Sequence, residues 1–182
     1  MKEKYERIDR KLVGSGSLVD YYHDSIRIPD GSVETWDFID HKGAAAVLPV
    51  LPDGRIVMVN QYRAALDSFS LEIPAGGYQF RGEPEMEAAA RELKEETGYT
   101  AGKMEKILDI RTTVAFCNER IAIFLATDLE EGEQDLDPDE YLSVEVYSLP
   151  ELVKMISEFR IVDSKTICAI MFYKDRIGQH SI

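Results

Sequence analysis

Apolar and polar positions change rhythm along this chain, and the changes mark out its elements. From Tyr5 to Val13 the pattern is amphipathic and partly extended. Ser17 to His23 and Ser25 to Ile28 alternate with a period near two, which predicts strands. Pro29-Asp30-Gly31 is a turn signal, and Val33 to Asp40 then returns as a strand. Together these runs predict an antiparallel meander over residues 1–42. Ile26, Ile28, Trp36, Phe38 and His41 would form its apolar side, which needs a partner to bury it.

Residues 43–182 read differently. Ala44 to Val50 is an unbroken apolar strand, and Pro52-Asp53-Gly54 turns it into Arg55 to Gln61 as a hairpin. Leu71 to Gly77 is a short strand running into a glycine turn. The period then lengthens to that of a helix between Gly82 and Gly98, with Met86, Ala89, Ala90 and Leu93 as one apolar stripe. Pro84 suits the first helical position, and Gly98 suits the left-handed residue just past the end. Lys106 to Ala115, Arg120 to Thr127 and Tyr141 to Tyr147 are strand-like. Asp128 to Glu140 is a loop with eight acids and no base. Pro150 to Phe159 and Asp163 to Arg176 are helical, with Asp163 as N-cap of the last. The order predicts a mixed α/β fold: a mixed sheet between helices, plus a small N-terminal antiparallel β-piece.

Composition narrows the partners. A chain of 182 residues with 45% apolar content is ordinary for a globular protein with a real core. Its net charge of −13 argues against nucleic acid or an anionic membrane as partner. No apolar run approaches the ~20 residues needed to span a bilayer. Cys117 and Cys168 form no close motif and read as buried thiols of a reducing cytoplasm. His23, His41 and His180 match no zinc spacing.

The acidic residues of the central helix change the picture more. Glu92, Glu95 and Glu96 fall within an arc of about 100°, on the side expected to oppose the apolar stripe. Glu92 and Glu96 repel as an i,i+4 pair. A cation would offset that, and oxygen ligands of this kind suit Mg²⁺ or Mn²⁺. A solvated acidic face is the competing explanation.

Gly77, Glu83, Arg91, Glu92, Leu93, Glu95, Glu96 and Gly98 stand in the register of the Nudix box, with Tyr99 in place of its final aliphatic residue. The stretch resembles the Nudix hydrolase family. That resemblance implies a Nudix-type α/β/α sandwich and hydrolysis of a nucleoside diphosphate linked to another moiety. It implies divalent metal on Glu92, Glu95 and Glu96, with Glu83 as support and Arg91 as a structural partner of a box glutamate. The Gly76 carbonyl joins the metal ligands.

Further short motifs resemble the ADP-ribose pyrophosphatase branch: His41-Lys42-Gly43, Gln61-Tyr62-Arg63, Glu72-Ile73-Pro74-Ala75-Gly76, Gly132-Glu133-Gln134, Asp139-Glu140 and Asp163-Ser164-Lys165-Thr166. Three positions depart from it. Val114 or Ala115 stands where the branch often has proline, an extra glycine makes Gly76-Gly77, and Ser143 stands where an acid is expected. The implied substrate is ADP-ribose, yielding AMP and ribose 5-phosphate. Another nucleoside diphosphate sugar, such as a GDP-hexose, is the alternative, and a non-catalytic nucleotide-binding member a more distant one. In this branch the strand carrying Trp36 supplies base recognition, often across a homodimer; Trp36 would stack on adenine and Asp37 accept from its amino group. Core packing is the other reading of Trp36.

The remaining candidates follow from chemistry. Arg63 can bind a phosphate bidentately or form a surface ion pair. Glu72 either binds ribose or pairs with the box arginine. Glu140, closing the acidic loop, is the first candidate for the base, with Glu119 second; Glu95 is counted with the catalytic group as well as with the ligands.

Overall fold

A computed structural model describes residues 4–136, 138 and 140–179. Asp137, Asp139 and His180 therefore lie outside the described residues, as do Met1 to Glu3. The chain divides into two compact units: Met1–Gly43 with Arg111–Arg120, and Ala44–Ile110 with Ile121–Ile182.

The first unit is an antiparallel meander of β1 (Glu6–Ser15), β2 (Val19–Arg27) and β3 (Val33–His41). The two short runs expected from Ser17 to Ile28 are one strand. The pairings Tyr22↔Phe38, Asp24↔Trp36 and Ile26↔Glu34 put these side chains on one face. His41 alternates to the other face, contrary to expectation. The shared face holds a charge at its centre: Arg10 donates two bonds of 2.6 Å to the buried Asp24, and its guanidinium lies 3.7 Å over the Phe38 ring. Segment 111–120 joins this unit through Ile39, whose N–H donates to Phe116 O (2.7 Å), and Asn118, whose N–H donates to Ile39 O (3.3 Å).

The second unit contains two sheets where one was expected. The mixed sheet runs β7 (Ala75–Gly77), β4 (Ala44–Pro49), β9 (Arg120–Glu130) and β8 (Thr100–Arg111). The smaller one runs β10 (Leu142–Tyr147), β5 (Ile56–Arg63) and β6 (Ser68–Glu72), and is antiparallel throughout. The predicted β4–β5 hairpin is reduced to a turn and one antiparallel bridge, Val50↔Ile56. Leu51 and Arg55 close it, but β4 pairs in parallel with β9 while β5 pairs with β10 and β6. Strand β8 ends at Arg111, short of the predicted Ala115.

Strand β4 is buried on both faces, which explains its unbroken apolar run. Ala44, Ala46 and Leu48 pack into one core with Leu152, Met155, Ala169 and Ile170, from helices α2 (Leu149–Ser157) and α3 (Ser164–Gln179). Ala45 and Val47 pack into a second core with Ala88, Ala89 and Leu93 of α1 (Glu85–Thr97). The helix–sheet–helix layering follows from this alternation. Asp163 caps α3, accepting from the Thr166 N–H at 2.9 Å.

Candidate active site

Helix α1 begins one residue later than expected. Pro84 is its N-cap, and Gly98 ends it at φ 77°, its N–H donating to Lys94 O. The face it buries also differs. Met86 and Ala90 are exposed, while Ala88, Ala89, Glu92, Leu93, Glu96 and Thr97 are buried. Ala88, Glu92 and Glu96 form one i,i+4 row beside Ala89 and Leu93. Two of the box glutamates thus sit at the edge of the apolar stripe, not across from it. Alanines at 88 and 89 let the helix lie close on the sheet, and this draws the two carboxylates in behind them.

Their burial has an electrostatic consequence. Desolvation pushes the Glu96 carboxyl up to about 8; the Ala75 N–H, donating at 2.9 Å, offsets part of this, while the charges of Glu92 and Glu140 add to it. Glu92 is pushed up to about 7, again first by burial, with Arg91 opposing. Gly76 lies directly beneath Glu92: a Cβ there would meet the carboxylate at 2.2 Å. Any side chain at 76 would force the Glu92 carboxylate out of this position.

Arg91 ties the cluster together. Its Nη1 donates to Glu92 (2.6 Å) and Glu95 (2.9 Å), and Nη2 reaches Gly77 O (3.4 Å) and Glu83 (3.5 Å). Glu83 in turn accepts from the Gln79 N–H at 2.7 Å. Gly76, Glu83, Arg91, Glu92, Glu95 and Glu96 are therefore one constellation. Among the described residues, no three His, Cys, Asp or Glu side chains converge as a ready-made ion cage. Arg91 engages two of the carboxylates as they stand. The donor set nevertheless fits a hard divalent cation: oxygens only, on a rigid helix, two of them buried with no full counter-charge.

A second cluster adjoins the first. Arg63 binds Glu72 bidentately at 2.9 and 2.7 Å, and the buried Lys165 donates to the same Glu72 and sits 3.1 Å from Asp163. Burial alone would raise the Glu72 carboxyl; Arg63 and Lys165 outweigh it and hold it down at about 2. Arg63 also lowers the Glu96 pKa, so the two clusters feel one another. Glu72 pairs with Arg63 and Lys165 and not with the box arginine, which removes that alternative. Thr166 accepts from the Ile73 N–H at 2.9 Å and fastens α3 to the strand segment beside Glu72.

Glu140 belongs to the second unit, between β9 and β10, whereas Trp36, Asp37 and Glu119 lie in the first. Trp36 is 48% exposed, so it is not a core residue. Asp37 accepts from Tyr21 at 2.7 Å. Glu119 accepts from Thr112 at 2.5 Å and stands 3.8 Å from His41 Nε2.

Lys165 and Gln61 had no assigned role in the sequence. A lysine in the first turn of a helix opposes the helix dipole, and this is the signal that it needs acidic partners. The Gln61 Oε1, two residues before Arg63 on β5, is buried with no hydrogen-bond partner among the described residues.

Comparison with known proteins agrees with this geometry. The family model described as NUDIX domain matches residues 40–169. The chain is 38% identical over 175 residues to an ADP-ribose pyrophosphatase of Bacillus subtilis strain 168, covering 94% of each. It is 36% identical over 167 residues to a methanol dehydrogenase activator of Bacillus methanolicus, covering 91% of this chain and 90% of that one. The crystal structure of an ADP compounds hydrolase superposes with a TM-score of 0.85 at 18% identity, covering 97% and 96% of the two chains, and shares the fold. The chain belongs to the NUDIX family. It is a Nudix hydrolase, with the box on α1 packed against one face of a mixed sheet.

Proposed function

We propose that this protein hydrolyses the pyrophosphate of ADP-ribose to AMP and ribose 5-phosphate. The observation that carries the proposal is the buried Glu92–Glu96 pair over Gly76, set beside the Arg63–Glu72–Lys165 cluster. The extensive likeness to an ADP-ribose pyrophosphatase supports the choice of substrate.

Glu92, Glu95 and Glu96, with the Gly76 carbonyl, would hold Mg²⁺ or Mn²⁺. A divalent metal held there would neutralise phosphoryl oxygens and acidify a water. Glu140 takes the proton from the attacking water, and its charge already acts on both Glu92 and Glu96. Glu119 is the alternative base. Arg63 keeps Nη1 free of its pair with Glu72 and offers it to a phosphate, the guanidinium held flat by that pair. Glu83 and Arg91 fix the rotamers of the ligands. Among the described residues no helix is long and apolar enough to cross a membrane. We place the protein in the cytoplasm on its two unpaired thiols, Cys117 and Cys168.

We further propose a homodimer in which residues 1–42 complete the partner's site through Trp36 and Asp37. A three-stranded meander holds little core of its own, yet it buries Asp24 and Ile26 and leaves Trp36 exposed. Light scattering at assay concentration is expected to show a dimer; a fully active monomer would refute the shared site.

The function is tested by a panel of nucleoside diphosphate sugars with product identification. AMP and ribose 5-phosphate are expected from ADP-ribose, with activity lost in excess chelator. Inorganic phosphate or pyrophosphate as first product, or preference for a GDP-hexose, would overturn the assignment.

A further inference from the structure

One face of β5 carries a hydrogen-bond acceptor that the fold leaves unanswered. Side chains alternate along a strand, so Val59, Gln61 and Arg63 share one face of β5. Across the strands Gln61 pairs with Ser70 of β6 and with Leu142 of β10. None of these four neighbours satisfies Gln61 Oε1. Val59 and Leu142 carry no side-chain donor. Ser70 is buried, yet its hydroxyl does not donate to the amide oxygen. Arg63 gives Nε and Nη2 to Glu72. Oε1 is closed to solvent and accepts from nothing among the described residues. A buried acceptor without a partner costs stability, and each one in a folded protein calls for a reason.

The place of Gln61 supplies one. Arg63, two residues on, is the arginine assigned to a phosphate, and Glu72 fixes it across the strand pair. Ala75, no more than about 11 Å beyond Glu72 along the chain, donates its N–H to Glu96 at 2.9 Å. Cα atoms of β5 and α1 come within 8 Å of one another. The face that carries Gln61 therefore adjoins the box helix. An acceptor at this place needs a donor. The phosphates of a nucleoside diphosphate sugar only accept at neutral pH; its ribose hydroxyls donate. Two residues advance a strand by about 7 Å. The vicinal hydroxyls of a ribose 5-phosphate stand four to five bonds from phosphorus, roughly 5–6 Å. The two spacings match.

We propose that Gln61 is a substrate-binding residue whose Oε1 accepts from a hydroxyl of the ribose next to the phosphoryl group held by Arg63. This rests on the ADP-ribose reading and deepens it. Gln61 as a whole is only half-buried, so its amide lies near the surface. The last torsion of a glutamine turns in a broad well. Turning the oxygen outward breaks no hydrogen bond at Oε1, because none is made there.

The experiment is a cycle between protein and substrate. Wild type and Gln61→Met are assayed at saturating Mg²⁺ on ADP-ribose and on four analogues, each lacking one vicinal hydroxyl of one of its two riboses. For wild type, kcat/KM is expected to fall about 5- to 100-fold on one analogue. Which analogue it is tells whether the terminal or the adenosine ribose is held. Gln61→Met should lose the same factor on ADP-ribose and no more than about 2-fold further on that analogue, since the partner of the missing hydroxyl is already gone. Its urea midpoint without substrate should equal or exceed that of wild type, because methionine removes an unanswered acceptor. Gln61→Asn, which draws the amide back by one methylene, is the second variant and should show the same kinetic pattern. Equal kcat/KM of wild type and Gln61→Met on ADP-ribose would overturn this assignment alone. So would an equal loss on ADP-ribose and on every analogue, which marks a structural role. A wild type that leaves ADP-ribose uncut would overturn the substrate reading and this assignment with it.

Discussion

Replacing Glu96 with glutamine should stabilise the metal-free protein while destroying its activity. The two effects have one cause. Glu96 is 2% exposed, and burial raises its pKa from 4.5 to about 8. The folded state therefore holds this proton more tightly than the unfolded state does. Between about pH 4.5 and 8 the folded state binds more protons, so unfolding free energy falls as pH rises, by ~1.4 kcal/mol per pH unit. At pH 7 the span from 4.5 corresponds to about 3 kcal/mol. Coupling to Glu92 reduces the share that one substitution recovers, to about 2–3 kcal/mol. Glutamine removes the titration and keeps an oxygen to accept from the Ala75 N–H. In excess chelator, urea midpoints of the two proteins should coincide near pH 4. They should diverge steadily to pH 8 in favour of Glu96→Gln, with a Tm gain of roughly 5–10 °C at pH 7. With saturating Mg²⁺ the order should reverse, because binding stabilises only the protein that keeps its ligand. Turnover should fall by several orders of magnitude. A stability difference that does not change with pH, or a less stable metal-free variant, would refute the electrostatic reasoning.

Other expected outcomes follow from the same geometry. Gly76→Ala puts a Cβ 2.2 Å from the Glu92 carboxylate; Mg²⁺ half-saturation should rise about 10- to 100-fold with the circular dichroism spectrum unchanged. Lys165→Met leaves Glu72 and Asp163 without their shared cation; chemical denaturation should show a loss of about 3–5 kcal/mol, and KM should rise as Arg63 is drawn further onto the charge of Glu72. Trp36→Ala should raise KM for ADP-ribose without changing Tm, since stacking on a base is worth roughly 1–3 kcal/mol; an unchanged KM would refute the stacking role.

The limits of α1 were legible because Pro84 and Gly98 act locally, through backbone geometry. The face it buries was not. Periodicity equates apolar with buried, and here Glu92 and Glu96 take buried places while Met86 and Ala90 face solvent. The turn at Pro52-Asp53-Gly54 was also legible, but not the divergence of the strands it joins. β4 is claimed by β9, far along the chain, and no local signal carries a parallel pairing of that separation. Lys165 escaped because its charge makes sense only beside Glu72 and Asp163.

The bond network around Glu72 also sets a schedule for synthesis. Arg63 and Glu72 leave the ribosome about ninety residues before Lys165 and Thr166. At translation speeds of about 5–20 residues per second, Glu72 waits roughly 5–20 s for its second cation. Until then β5 and β6 carry a charge that the finished core requires to be fully paired, and Ile73 has no hydroxyl to receive its N–H. Arg63 and Glu72 can pair within β5 and β6 early, yet the segment beside them stays untied until α3 brings Lys165 and Thr166. The last helix is thus the fastening of the whole cluster, and the strand that carries Glu72 reaches its finished state only when that helix arrives.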